Sequence, residues 1–271
     1  TPLDFQIESF DPTLGLAMIW VALPELPAGG ERQIWMYYGA PEAQRASSPR
    51  VFDPQFHAVY HFGAGAPADD ATAYGNDASP VRSTAAAAIG AGAVFDGSQG
   101  VTLPASASTA FNPANGATIE AWVRETTPSA RAVLYARRDG AGALVFGLEN
   151  GAPFLEVGDQ RATGAGSIGA EWTHLALVGD GSRTALYVDG ELAAGVDAPL
   201  PALTGTATLG ADADGSGFVG ELDELRLSAV ARSPAYLKAQ VASQRSGSNL
   251  VAFGADEKPS GHGFGYFGLI F

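Results

Sequence analysis

The sequence predicts an all-β fold, a sandwich of two packed sheets. Short runs of alternating apolar and polar residues recur along the chain, and turn residues separate them. The clearest runs lie at 117–124, 131–158 and 171–195. Within the last of these, Asp189-Gly190 separates two alternating runs, which is the strongest short signal for a β-hairpin.

The chain before residue 51 is predicted to form a separate β-segment. Apolar runs at 16–26 and 32–39 flank the Gly-rich stretch PAGGE, a pattern typical of a hairpin. The polar stretch at 40–50 predicts a linker or a peripheral helix. We therefore divide the chain into a partial β-domain with its linker (1–50), a β-sandwich (51–254) and a tail (255–271).

One short helix is predicted near the end of the sandwich. Ser233 is a good N-cap, Pro234 suits the first helical position, and Leu237 and Val241 fall on one face. The alanine-rich stretch at 83–93 is interrupted by glycines, so a loop or an irregular strand is expected there.

The net charge argues against several classes of partner. The formal charge is −14, and no cluster of Lys and Arg is present, which argues against nucleic acid and against anionic lipid surfaces. The chain contains no cysteine, which excludes disulfides, thiolate metal sites and cysteine nucleophiles. The excess of carboxylates is compatible with a divalent cation.

Several stretches closely resemble the LamG family of concanavalin A-like lectins and glucanases. They are ATIEAWVR, EWTHLALVGDGSRTALYVDGELAA and FVGELDELRLSAVARSPAYLKAQ, and the resemblance covers roughly residues 57–253. DDATAYGNDA (69–78) resembles an Asp-Ser-Thr-Gly-Asn-Gly turn of that family and departs from it at Ala73 and Tyr74. The resemblance implies a concanavalin A-like jelly-roll β-sandwich with an N-terminal β-segment and one short C-terminal helix.

The preceding segment resembles a small β-domain of unknown function that commonly precedes LamG, and the pair often forms the extracytoplasmic part of MotA/TolQ/ExbB-type proton-channel proteins. The terminal GYFGLIF resembles the approach to their first membrane helix. The resemblance implies a lectin-like recognition or scaffold region on the periplasmic side, facing a glycan or an envelope protein. On this view, sequence beyond the chain anchors the protein in the inner membrane as a homo-oligomer. The alternative is a free-standing carbohydrate-binding or adhesion module.

An acidic run, GELDEL (220–225), lies within an otherwise apolar predicted strand. Residues two apart share a face of a strand, so Asp223 should point into the core with Leu225 and Leu227 unless a bulge intervenes. A buried carboxylate needs partners. Either Asp223 accepts backbone N–H groups from a neighbouring loop, for which 69–77 is the candidate, or it helps that loop to hold a structural calcium ion. The candidate ligands are Asp70, Asn76, Asp77 and Asp223.

We predict no enzymatic activity. Glucanases related to this family carry Glu-x-Asp-x-Glu, and Leu225 stands in place of the last glutamate, so the resemblance implies that the acid/base is missing. A glycoside hydrolase is the least supported alternative. The Gly-x-Gly-x-x-Gly pattern at 164–169 has no helix to follow it, so no dinucleotide site is expected. His57 and His61 would lie roughly 13 Å apart along a strand, too far for one metal.

A ligand surface is expected on loops, because binding groups gather on loops above a rigid sandwich. Trp122 and Trp172 are predicted to pack in the core rather than stack on sugars. The candidate ligand-binding residues are Tyr74, Arg137, Arg138 and Asp139.

Overall fold

The protein is built almost entirely of β-strands. A computed structural model describes residues 1–26, 29–38, 47–63, 65–84, 86–140, 142–254 and 265–270. In chain order the strands are β1 Phe5–Asp11, β2 Leu16–Val21, β3 Gln33–Tyr38, β4 Phe56–Tyr60, β5 Arg82–Thr84, β6 Gly92–Asp96, β7 Val101–Leu103, β8 Ala117–Glu125, β9 Ala132–Asp139, β10 Gly142–Glu149, β11 Ala152–Val157, β12 Gln160–Thr163, β13 Thr173–Gly179, β14 Thr184–Val188, β15 Glu191–Val196, β16 Ala207–Leu209, β17 Val219–Ser228, β18 Ala252–Phe253 and β19 Gly265–Ile270. The helix α1 spans Pro234–Gln244.

Two antiparallel sheets form the sandwich. The larger has the order β15-β14-β13-β8-β17-β6-β5, with β4 also pairing with β17. The smaller has the order β12-β11-β10-β9-β16-β7. Two further sheets lie outside the sandwich, β1-β2 and β18-β19-β3. This arrangement confirms the predicted all-β jelly-roll class.

The core lies between the two large sheets. Every second residue of the central strands points into it, for example Ile119, Ala121 and Val123 of β8 and Leu175 and Leu177 of β13. These side chains are almost fully buried. The alternation that the sequence shows therefore marks the inner face of the sandwich.

Two local predictions are confirmed. Asp189 and Gly190 both have positive φ (50° and 79°) and join β14 to β15, which is the geometry of a two-residue hairpin turn. Helix α1 begins after Ser233, whose side chain accepts a hydrogen bond from the Tyr236 N–H. Leu237 and Val241 are its buried residues, as expected. None of the helical segments in the described ranges has the length and apolar character that a bilayer-spanning helix requires.

The predicted hairpin between the runs at 16–26 and 32–39 is wrong. β2 pairs with β1, which precedes it, through a turn that the Asp11 carboxylate closes by accepting the Thr13 and Leu14 N–H groups. β3 pairs instead with β19. Apolar strands separated by glycines look alike whether or not they pair, so the sequence pattern could not choose between these partners.

The predicted linker and the predicted tail are described only in part. Of the predicted linker (40–50), residues 40–46 lie outside the described residues, and Pro49–Val51 form a 3-10 turn. Within the predicted tail, residues 265–270 form β19 beside β3 and β18, and the rest lies outside the described residues. β3, which precedes the sandwich in the chain, therefore shares one sheet with β18 and β19, which come after its last strand.

Strand β17 carries a β-bulge that corrects the predicted direction of Asp223. Asp223 lies opposite Trp122 and Arg226 lies opposite Glu120, so two residues of β17 face one residue of β8. Glu224 takes the positive φ of 52° that the bulge requires. Leu222, Leu225 and Leu227 all join the sandwich core. Asp223 therefore does not share the inner face with Leu225 and Leu227.

We expect Ile119→Ala to destabilise the sandwich by about 2–5 kcal/mol, because it leaves a cavity at a fully buried position of a central strand. Urea unfolding followed by far-UV circular dichroism measures this change. Leu192→Ala, at a 55% exposed position, is the control and should change the free energy of unfolding by about 0.5 kcal/mol or less. Equal effects of the two substitutions would contradict the assigned core.

Candidate functional site

A cleft of about 270 Å³ opens where β17 ends and the loop before β8 folds over it. Apart from one histidine, its lining side chains cannot ionise. The lining residues are His57, Ala107, Ser108, Thr109, Ala110, Phe111, Asn112, Asn115, Gly116, Leu227, Ser228 and Ala229. Asn112 and Asn115 are exposed, so amide groups stand at the entrance.

The loop at 106–111, which forms one wall of the cleft, is held by hydrogen bonds within the loop and to the interior of the protein. Ser106 and Thr109 exchange hydrogen bonds between their N–H groups and hydroxyls, which closes a tight turn. Arg137 donates to the carbonyls of Thr109 and Gly205 and lies over the Phe111 ring at 4.9 Å. Only 1% of Arg137 is exposed. This predicted ligand-binding residue therefore supports the loop from the interior, unlike the exposed position that the prediction assumed.

The predicted calcium loop is organised by Asp70. One carboxylate oxygen, Oδ1, accepts the Val59 and Thr72 N–H groups, and Oδ2 accepts the Thr72 hydroxyl and the Asn76 N–H at 2.9 Å. Asp77 accepts the Asp70 N–H in turn. The loop is therefore closed by its own hydrogen bonds.

Asn76 joins this loop to the cleft. Its amide donates to the His57 carbonyl at 2.7 Å and to the Ser108 hydroxyl at 2.9 Å. Tyr74 lies beside it, with its ring 4.8 Å from the His57 ring and its hydroxyl bonded to the Pro54 carbonyl. Tyr74 is 46% exposed, and its neighbour His57 lines the cleft.

The other two predicted ligand-binding residues fasten loops elsewhere. Arg138 forms two hydrogen bonds, of 3.0 and 2.6 Å, with the Asp212 carboxylate. Asp139 accepts the N–H groups of Thr204 and Gly205. Of the predicted set, Tyr74 is the exposed residue that contacts the cleft, through the lining residue His57.

Asp223 lies apart from the predicted calcium loop. Its carboxylate accepts the N–H groups of Ile89 (2.7 Å) and Glu224 (2.8 Å), and the charged groups that act on it are Glu224 and Glu8. Backbone N–H groups were the expected partners, but the link to the loop at 69–77 is wrong. The structure gathers Asp70, Asn76 and Asp77 in one loop. Asp223 is bonded instead to Ile89, in the turn before β6.

A second polar cluster lies buried where the β1-β2 hairpin covers the larger sheet. His61 Nδ1 is 2.6 Å from Glu224 Oε1, and Arg226 donates to Glu224 Oε2 at 2.8 Å. From the hairpin, Trp20 stacks on His61 (centroids 5.4 Å apart) and lies beneath the Arg226 guanidinium at 4.5 Å. The Trp20 indole N–H donates to Glu8, which lies 3.8 Å from His61.

Burial and mutual charge set the protonation of this cluster. Burial raises the pKa of Glu8 to about 7, and repulsion by Glu224 adds to the rise. For Glu224, burial acts upward, but the charges of His61 and Arg226 outweigh it and lower the pKa. For His61, burial acts downward, yet the Glu224 carboxylate raises the pKa. Burial and the Glu224 charge raise the pKa of Asp223 well above its usual range.

Within the described ranges, Glu8, His61 and Glu224 are the one group whose three potential ligand atoms lie within 4.8 Å of one another. These atoms are already engaged, since Glu224 is bonded to both His61 and Arg226 and Glu8 accepts from Trp20. A guanidinium in the same cluster also opposes a second cation. The arrangement is that of a buried ion-pair network.

The family model described as the concanavalin A-like lectin/glucanases superfamily matches residues 95–238. The chain belongs to this superfamily. A model for a domain of unknown function (DUF2341) matches residues 1–62. No curated protein sequence matches the chain.

Solved structures of low sequence identity share the fold of this concanavalin A-like chain. Domain 4 of AbnA, a GH43 extracellular arabinanase from Geobacillus stearothermophilus solved with arabinotriose, has a TM-score of 0.58 and 20% identity over 69% of this chain and 98% of its own. The binding domain of Paraclostridial Mosquitocidal Protein 1 has a TM-score of 0.59 and 10% identity over 70% of this chain and 52% of its own. The Botulinum Neurotoxin serotype G binding domain has a TM-score of 0.59 and 10% identity over 73% and 53%. The chain thus spans about half the length of the two toxin binding domains.

Most residues of the cleft and of the buried cluster around Glu224 were not predicted from the sequence. The stretch FNPANG (111–116) carries turn residues that indicate an exposed loop, and this signal could have pointed to Asn112 and Asn115. No comparable signal links Glu8 to Glu224. These two residues are brought together by hairpin docking, which no local pattern records.

We expect Glu224→Gln to destabilise the protein by about 3–5 kcal/mol, because it removes the charge that compensates buried His61 and Arg226. Glu221→Gln is the matched control on the same strand. Its partner Arg124 is 35% exposed, so the cost should be about 1 kcal/mol or less. Calorimetric melting temperatures measure both effects, and a Glu224→Gln protein as stable as Glu221→Gln would contradict the buried network.

Proposed function

We propose that the protein is a non-catalytic, lectin-like recognition module whose cleft binds an uncharged sugar unit. The observation that carries this proposal is the exposed Tyr74 ring beside a cleft lined by amides and hydroxyls. Sugars present apolar C–H faces that pack on aromatic rings and hydroxyls that bond to amide groups. Tyr74 supplies the first kind of contact, and Asn112, Asn115 and Ser108 supply the second.

The charge of the cleft favours an uncharged ligand. No Lys or Arg lines it, and the whole chain carries a net charge of −14. A sialylated or sulfated glycan would meet a repulsive field without a cationic partner. A neutral hexose or pentose unit is not repelled by this field and needs no cationic partner.

The comparisons support a binding role. The arabinanase domain was solved with arabinotriose, and several other similar structures are toxin binding domains, one of them in complex with SialylT. Their identity to this chain is at most 20%, so they bear on its fold, and its ligand is inferred from the cleft.

The state of the carboxylates supports a role without catalysis. Glu221 is engaged by Arg124, and Asp223 is fully buried beneath the hairpin. A hydrolase needs two carboxylates that reach a sugar from an open cleft. Glu221 and Asp223 do not line the cleft.

We further propose that this module serves on the periplasmic side of an ExbB/TolQ-like proton-channel subunit, anchored in the inner membrane and oligomeric through sequence outside the chain. This proposal rests on the resemblance of the pair of regions, the domain of unknown function first and the concanavalin A-like domain second, to the extracytoplasmic part of such subunits. A free-standing adhesion module is the alternative. Co-purification of the full-length protein from membranes with a proton-channel partner would favour the channel role, and recovery only as a secreted protein would oppose it.

We expect Tyr74→Ala to weaken binding of a neutral oligosaccharide roughly 3- to 10-fold, because it removes the aromatic face at the rim. The ligand is first selected on an array of neutral and sialylated oligosaccharides, and its affinity is then measured by titration calorimetry. Asn115→Ala should also weaken binding, through the loss of a hydrogen-bonding amide at the entrance.

Two matched variants make this experiment decisive. Tyr74→Phe keeps the ring and should bind within about twofold of the wild type, while Leu192→Ala changes an exposed residue that does not line the cleft. Binding confined to sialylated glycans would refute the uncharged ligand. Binding that Tyr74→Ala and Asn115→Ala leave intact would place the site elsewhere.

The structural calcium ion predicted for the loop at 69–77 stays a prediction, and calorimetry with and without EDTA tests it. If calcium orders this loop, EDTA should lower both the melting temperature and the affinity for the oligosaccharide, and added Ca²⁺ should restore them. Unchanged values would show that the four hydrogen bonds of Asp70 suffice to close the loop.

A further inference from the structure

The β1-β2 hairpin contacts the sandwich through side chains, and the Ser48 N–H, in the segment before β4, donates to the Phe5 carbonyl. β1 and β2 form a sheet of their own, and in the described part of the chain no backbone hydrogen bond joins them to a strand of the sandwich. The contacts are made by Glu8 and Trp20, which meet His61 and Arg226, and by Phe52, whose ring lies 6.4 Å from that of Trp20. Such a joint can open without breaking a backbone hydrogen bond of the sandwich sheets, and a two-stranded hairpin released from its support is at best marginally stable, so its amides then exchange.

Charged and titratable groups converge on Glu8 from every element that packs around it. They are His61 after β4, Asp223, Glu224 and Arg226 on β17, with Glu120 on β8 and Tyr236 on α1 acting on Arg226. The Glu8 side chain is only 2% exposed, and its Oε1 has no hydrogen-bond partner. A negative charge on Glu8 is therefore poorly compensated when the hairpin is docked.

We propose that the hairpin is an acid-closed latch: it docks tightly on the sandwich when Glu8 is protonated and loosens when Glu8 ionises.

The direction of the pH effect follows from the pKa of each group. The docked pKa of Glu8 is raised to about 7, so its contribution to docking is present at low pH and is lost as pH rises toward 7. The raised pKa of His61 acts in the same direction, because the protonated ring pairs with Glu224. The lowered pKa of Glu224 weakens docking only in stronger acid, as pH falls through that docked pKa. Raising the pH from 6 to 8 therefore favours release of the β1-β2 hairpin from the sandwich.

Opening would uncover an aromatic surface beside the acidic bulge. Trp20, Phe52 and His61 pack against one another in the docked state, and Arg226 caps Trp20. This surface lies on the outer side of the larger sheet, whereas the sugar cleft is lined by other residues. The latch is thus separate from the proposed glycan site, and its failure would leave that proposal standing.

Hydrogen exchange with mass spectrometry at pH 6 and pH 8 tests the latch. Protection factors of peptides covering 5–21, corrected for intrinsic exchange, should fall by about tenfold or more, since a shift from 4.5 to 7 in Glu8 alone gives about tenfold over this interval. Peptides from β8 and β13 provide the internal reference and should not change. Glu8→Gln, which mimics the protonated acid, should reduce the fall by about tenfold, and Glu25→Gln, at a 77% exposed side chain, should behave as the wild type.

Two results of the exchange measurement without chelator would overturn the latch. One is a change of less than about threefold in the wild-type hairpin, and the other is a fall in Glu8→Gln equal to that of the wild type. The experiment is repeated with EDTA, and a pH effect abolished by the chelator would assign the cluster to a metal ion instead.

Discussion

The position of Glu224 between His61 and Arg226 is the interaction on which the rest of the structure depends. Glu224 forms the bulge of β17, at the point where this strand exchanges β6 for β4 as its neighbour. The bulge places Leu222, Leu225 and Leu227 in the core while directing acidic side chains to the opposite face. The extra residue of a bulge stays outside the ladder of backbone hydrogen bonds. The charged contacts of Glu224 with His61 and Arg226 hold the strand at this point instead.

This arrangement has a cost in free energy that the surrounding elements offset. Burying Asp223, Glu224 and Arg226 together requires that each finds a partner, and those partners come from three separate places. The turn before β6 supplies the Ile89 N–H, the segment after β4 supplies His61, and helix α1 supplies Gln240. The hairpin then closes the cluster with Trp20. The acidic run thus joins the N-terminal segment, the sandwich and the helix.

Much of the fold could be predicted from the sequence, because period-two alternation and turn residues are local signals. The hairpin at Asp189-Gly190 and the helix after Ser233 follow from such signals alone. The phase of β17 could not be predicted, since one extra residue reverses a face without changing composition. For the candidate site, the exposure of Tyr74 could be predicted because it stands in a loop, and its ligand-binding role stays a prediction. Arg137 was misplaced because its charge suggests a surface, whereas its burial depends on the Thr109 and Gly205 carbonyls.

The central place of β17 also has a kinetic consequence. Its three strand partners, β4, β6 and β8, precede it by a long stretch of chain, and β17 is the last strand of the sandwich to be made. Until residues 219–228 are available, the larger sheet is split into pieces with open edges. Contacts between residues so distant in sequence form slowly, and unpaired edges of this kind aggregate readily. The larger sheet can therefore close only after this last strand has been made, and until then a chaperone that shields strand edges would protect the chain.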